Sequence, residues 1–175
     1  MWAGGMHSLV QLENGHVYVF GLNNWGQLGI GTRSEDPQLP VRLKFFDDKE
    51  IVSAALSQHA TVVLTREGRL YSAGRNSYGQ LGRATEGECA TEFGEVEMSG
   101  VVAQQVVAGY HHFVVVDEKG LLYTMGFGEM QQLGNGNKYE DEPRLYHVKS
   151  AALAQRKVVM ASAGSQHTMI LTEKL

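Results

Sequence analysis

The chain has 175 residues, 43% hydrophobic and 19% charged, with a formal net charge of −4. A domain of about 150 residues buries roughly 70% of its unfolded surface, so a sizeable core is available, while the scattered Lys and Arg leave no basic stripe for a nucleic-acid backbone. One cysteine, Cys89, allows no internal disulfide, and the longest apolar run, Val106 to Val116, is too short to span a membrane.

In chain order, the first feature is a strand bearing His7 that leads to a turn at Gly15. From there the sequence runs Gly15-His-Val-Tyr-Val-Phe-Gly21-Leu-Asn23-Asn-Trp-Gly26-Gln27-Leu28-Gly29. Val17–Phe20 alternates as a strand does, and the loop after it is rich in the residues that turns demand. A polar loop with prolines is predicted over Glu35–Pro40, then strands over Glu50–Ala55 and Thr61–Leu64. The pattern returns at Gly68, with Asn76, Gly79, Gln80, Leu81 and Gly82, and again at Gly120, with Gln132, Leu133 and Gly134. Between the second and third copies, Glu86, Glu88, Glu92, Glu95 and Glu97 suggest an acidic, solvated loop. Ser150–Lys157 is the one candidate for a helical turn or two.

A long repeat of four short strands predicts an all-β fold made of propeller blades. The expected organisation is the end of an interrupted repeat at 1–14, then repeats at 15–67, 68–119 and 120–175, the last with a closing C-terminal strand. Propellers close with about 4–8 blades. The chain is therefore expected to form part of one and to close with a missing half or a second copy. With no charged-then-apolar leader in front of His7, a soluble intracellular protein is expected.

One histidine breaks the spacing. His7 lies eight residues before Gly15 and His112 eight before Gly120, but His59 lies nine before Gly68, and Ala60 holds the regular place. A one-residue slip along a strand sends a side chain to the other face. His7 and His112 are thus expected to be buried tethers between blades, and His59 to be re-aimed to the other face as a candidate functional residue. Asn23 and Asn76 recur at one offset, as turn residues do, while Asn24 and Arg75 flank those turns on a face that propellers use for partners. His111 and His112, as strand neighbours, point to opposite faces and cannot share a metal. Gly29-Ile-Gly31 and Gly126-Phe-Gly128 lack the third glycine of a dinucleotide site, and no Gly-x-Ser-x-Gly elbow exists. No metal, no cofactor and no bond-making chemistry are expected.

The pattern Ala-Gly-x-x-His, Gly-x-Val-Tyr, Gly-x-Asn-x-x-Gly-Gln-Leu-Gly resembles the repeat of the regulator of chromosome condensation family, across essentially the whole chain. That resemblance implies a seven-bladed propeller. The likeness is greatest to the C-terminal half of members that act as guanine-nucleotide exchange factors for the small GTPase Ran, on residues 21–29, Gln58-His59 and 163–168. It implies a nuclear location (cytoplasmic as the alternative) and His59 as the exchange-promoting contact. It also implies that His167 touches the GTPase, with Asn24 and Arg75 as candidate partner residues beside them. Chromatin would be reached only through segments absent here, and no membrane is implied. The alternative is a propeller of the same family serving as a non-catalytic scaffold for another protein. The departures are Leu56-Ser57 for the usual Gly-Gly, Ala60 for a second histidine, Gly26 where some members carry a GTPase-facing histidine, and Gly128 and Gln131 in the third turn. A light-sensing relative is disfavoured, because only Trp2 and Trp25 are present. The family's face carboxylates and wedge hairpin belong to the other half, so little exchange is expected from this chain alone.

Overall fold

A computed structural model describes residues 1–136 and 139–175. Three four-stranded antiparallel sheets follow one another along the chain. The first holds β1 (Trp2–Ala3), β2 (His7–Gln11), β3 (Val17–Asn23) and β4 (Ser34–Arg42). The second holds β5 (Ile51–Leu56), β6 (Ala60–Thr65), β7 (Leu70–Arg75) and β8 (Cys89–Glu95). The third holds β9 (Ala103–Ala108), β10 (His112–Asp117), β11 (Leu122–Gly126) and β12 (Glu142–His147). A last sheet has two described strands, β13 (Arg156–Ala163) and β14 (Thr168–Lys174). Strand order within each sheet is sequence order, and β1, β5, β9 and β13 contact one another in turn as the inner strands of an arc of propeller blades. The sequence unit and the sheet are out of phase: each turn glycine sits in the middle of a sheet, joining β2 to β3, β6 to β7 and β10 to β11.

Sheet stacking explains the apolar runs. Val62 and Leu64 pack toward the third sheet while Val63 packs toward the first, so β6 is buried on both faces throughout. Val114 and Val116 likewise face the last sheet, and Phe113 and Val115 the second. The leucine of each Gln-Leu-Gly loop is a plug: Leu28 and Leu81 are 0% exposed and Leu133 is 1% exposed.

Three expectations change. Glu35–Pro40 lies inside the nine-residue strand β4 rather than in a loop. That strand is an outer edge with two register shifts in its pairing, where a proline's missing N–H does no harm. The acidic segment is largely β8, with Glu95 paired to Arg69 at 2.9 Å and Glu97 paired to Arg144. Ser150–Lys157 forms consecutive hydrogen-bonded turns that run into β13; among the described residues the helix is a single 3-10 turn at Lys44–Phe46. The third Asn/Gly loop keeps the path of the other two, because Gln131 adopts φ +60 where Gly26 and Gly79 have +77 and +69. Asp141 Oδ1 there accepts from Gly128 N at 2.9 Å.

Candidate partner-binding face

The regular histidine slot is a tether between sheets. Thr61 Oγ1 donates to the Gln27 carbonyl at 2.7 Å, so it accepts from His7 Nε2, also at 2.7 Å. His112 Nε2, Thr168 Oγ1 and the Gln132 carbonyl repeat the relay at 3.0 and 2.8 Å. Burial drives the pKa of both rings down to about 4. The middle sheet departs from this at three places together. Ala60 fills the slot, and Phe113, fully buried, stands where Thr61 and Thr168 stand in their sheets. A Cβ at Gly109 or Gly164 would meet the histidine ring of its own sheet at 2.1 Å; Ser57, at that place in the middle sheet, meets no ring and exchanges hydrogen bonds with Ala60.

His59 therefore occupies the adjoining position, which it shares with Met6 and His111. The Met6 carbonyl accepts from Leu22 N, that of His59 from Arg75 N and that of His111 from Phe127 N, at 2.9 to 3.0 Å. Glycines make this approach possible: a Cβ on Gly21, Gly74 or Gly126 would lie 2.4 to 2.5 Å from the same carbonyl oxygens. The pairing delivers Arg75 beside His59. Its guanidinium lies 4.6 Å from the Trp25 ring centre and 4.9 Å from that of Tyr78. Trp25 meets His59 edge-on at 6.3 Å, and the His59 and His111 rings stack at 6.1 Å and 14°. Tyr78, Tyr110 and Phe127 surround His111 at 5.2, 4.5 and 6.5 Å. Burial first, then the charge of Arg75, lowers the pKa of both histidines, with His111 at about 4.

Of the four residues singled out from sequence, His59 and Arg75 meet in this cluster. Asn24 adjoins Trp25, but its side chain accepts from Gln27 Nε2 at 3.3 Å and its carbonyl from Arg33 at 2.7 Å, which makes it a turn residue first. His167 lies in the tether slot of the last sheet and is exposed. It shares no aromatic or hydrogen-bond contact with His59, Trp25 or Arg75 among the described residues. Asn23 and Asn76 do the turn work foreseen, accepting from Leu28 N and Leu81 N. A side chain at Gly26 is blocked by Thr91 of β8, 2.8 Å from its Cβ position. His111, Trp25 and Tyr78 escaped sequence reasoning. For His111 the signal was present, since it shares the offset of His59 from the slot.

The model of the regulator of chromosome condensation (RCC1) repeat matches residues 14–64, 67–116 and 119–171.

The chain belongs to the RCC1 repeat family.

Relatives in that family differ in role. The chain is 31% identical to the Xenopus laevis regulator of chromosome condensation over 99% of its own length and 41% of that protein's. It is 28% identical to the Arabidopsis thaliana ultraviolet-B receptor UVR8 over 98% of its length and 38% of the receptor's. Among solved structures it matches Prp20p of Saccharomyces cerevisiae, described with its binding to Gsp1p and histones. The TM-score there is 0.94 at 24% identity, covering 99% of this chain and 43% of Prp20p. The chain thus spans about two fifths of the length of these RCC1-repeat relatives. No group of His, Cys, Asp or Glu able to hold a metal occurs among the described residues, and no helix there is long and apolar enough to cross a membrane.

Proposed function

We propose that this chain is the C-terminal half of an RCC1-type exchange factor for the small GTPase Ran, with His59 as the exchange-promoting contact. The observation that carries the reading is the placement of His59. It stands off the tether slot, on the loop face, and among the described residues its ring has no hydrogen bond and its Nδ1 is buried without a partner. A ring held in place and left unpaired suits a contact to another protein. The likeness to the Xenopus regulator supports the choice of partner, and the Gsp1p and histone binding of Prp20p accords with a nuclear, chromatin-linked role. Chromatin would be reached through other segments. The mechanism is differential binding: a face that holds the nucleotide-free GTPase more tightly than the GDP form lowers the barrier to release. Arg75 and His167 would serve as further GTPase contacts, with Asn24 shaping the turn beside them. Closure of the arc by complementary blades, or by a second copy, completes the surface.

Calorimetric titration with nucleotide-free and GDP-loaded Ran tests this. Tighter binding of the nucleotide-free form supports it; equal affinity for the two forms, or none, overturns it. The second reading, a scaffold without exchange activity, is favoured by the similar likeness to UVR8. It predicts partner binding with no acceleration of GDP release even when complementary blades are supplied.

A further inference from the structure

Side chains from three successive sheets form one ladder on the loop face, in the order Arg33, Trp25, Arg75 with His59, Tyr78, His111. Arg75 is its centre. Trp25 and Tyr78 both lie within cation–π distance of its guanidinium, and its Nε donates to Ser77 Oγ at 2.9 Å. No carboxylate pairs with it among the described residues. Glu88 is turned to Ser77, whose hydroxyl lies 3.4 Å from its Oε2. Arg33 also lacks an acid, donating to the Asn24 carbonyl and lying over Trp25 at 5.5 Å.

With Nε bonded to Ser77, the terminal Nη1 and Nη2 have no partner among the described residues, and that end of a guanidinium carries parallel donors matching a carboxylate. Beside it the two stacked imidazoles bury Nδ1 without a partner, leaving Nε2 of each as the nitrogen available to a visitor. Desolvation keeps both rings uncharged near neutral pH, so the full charges of the ladder are its two guanidinium groups. Holding these groups in place before binding reduces the ordering cost that an exposed arginine otherwise meets.

We infer that this ladder is a receptor for a carboxylate side chain of a partner protein, gripped by the edge of Arg75 while His59 or His111 donates from Nε2. The inference rests on reading this face as a partner surface and adds the chemistry it recognises. A single negative charge fits better than a phosphate dianion, since no lysine stands in the ladder and its histidines are neutral.

The test is an NMR titration of the 175-residue chain with N-acetylglutamate N-methylamide, its glutamine analogue, and inorganic phosphate at matched ionic strength. The probes are the Trp25 indole N–H and the His59 and His111 ring nitrogens. Expected are saturable shifts with the glutamate compound, none with the glutamine analogue, and weaker ones with phosphate. Arg75→Gln should weaken the response at least tenfold, and Arg75→Lys nearly as much, because an ammonium lacks the fork. Arg144→Gln, which touches only the Glu97 pair, should leave it unchanged. Unshifted His7 ring signals certify the fold of each variant. An equal response to glutamine, a stronger one to phosphate, or indifference to Arg75→Gln overturns the inference. Ran titrated against the same samples, with complementary blades supplied to close the arc, separates the two readings. Glutamate shifts without Ran binding would sink the GTPase alone, and Ran binding without glutamate shifts would sink the receptor alone.

Discussion

At the scale of the residue, one step along a strand separates two kinds of histidine. His112 is fully buried and bonded to Thr168, so His112→Ala leaves polar groups short of a partner and opens a void. It should cost about 1–3 kcal/mol in urea unfolding. His59→Ala, a partly exposed ring without hydrogen bonds, should stay within about 0.5 kcal/mol of wild type. In a completed propeller the same change should slow Ran nucleotide release by tenfold or more; an unchanged release rate removes the role given to His59. The buried rings also set a pH dependence. His7, His111 and His112 have pKa values of about 4 in the fold against 6.5 when unfolded. Between those values the unfolded chain binds more protons, so stability is complete above about pH 6.5 and falls as the pH drops toward 4. Melting temperatures across that range check it, and His7→Gln should flatten the curve. The His59–Ala60 slip was legible because it is a matter of counting. The ladder around Arg75 was not: Trp25, Arg75 and His111 lie 36 to 86 positions apart in the sequence, and only sheet stacking brings them together.

At the scale of the element, the loops show what a turn requires and what it tolerates. A Cβ at Gly26 would strike Thr91, and one at Gly79 would strike Pro143, each on the outer strand of the next sheet. No described strand covers Gln131, which is exposed and pays only for its left-handed φ of +60. Gln131→Gly should therefore stabilise the fold by up to about 1 kcal/mol, read in urea unfolding. The middle tether makes a sharper test. Ala60→His alone should destabilise by about 1–3 kcal/mol, since Phe113 already fills the space that a ring would take. Adding Ser57→Gly and Phe113→Thr should recover most of that loss, a coupling visible in a mutant cycle. Strand number and spacing were readable from alternation and glycine turns. The strand at Ser34–Arg42 was hidden by its prolines, which mark an edge as readily as they mark a loop.

At the scale of the whole molecule, the arc ends on an uncovered sheet. Met160, Met169, Leu171 and Leu175 are each more than half exposed on β13, β14 and the residue beyond, and among the described residues β14 pairs with β13 alone. Light scattering across a dilution series should find the chain associated, or captured one-to-one by a complementary half. A monomer indifferent to both would contradict closure.

The offset between sequence unit and sheet has a mechanical consequence. Like bricks laid in overlapping courses, each unit is bonded into two sheets, so a cut between units does not fall between sheets. A protease nick at Gly68 would sever the link between β6 and β7, yet the fragments would remain joined by the five paired positions of those strands. A nick at Asp48, between the first two sheets, would cut the chain where no such ladder crosses. Fragments from the first cut should co-elute until denaturant is added, and the second cut should be the weaker seam.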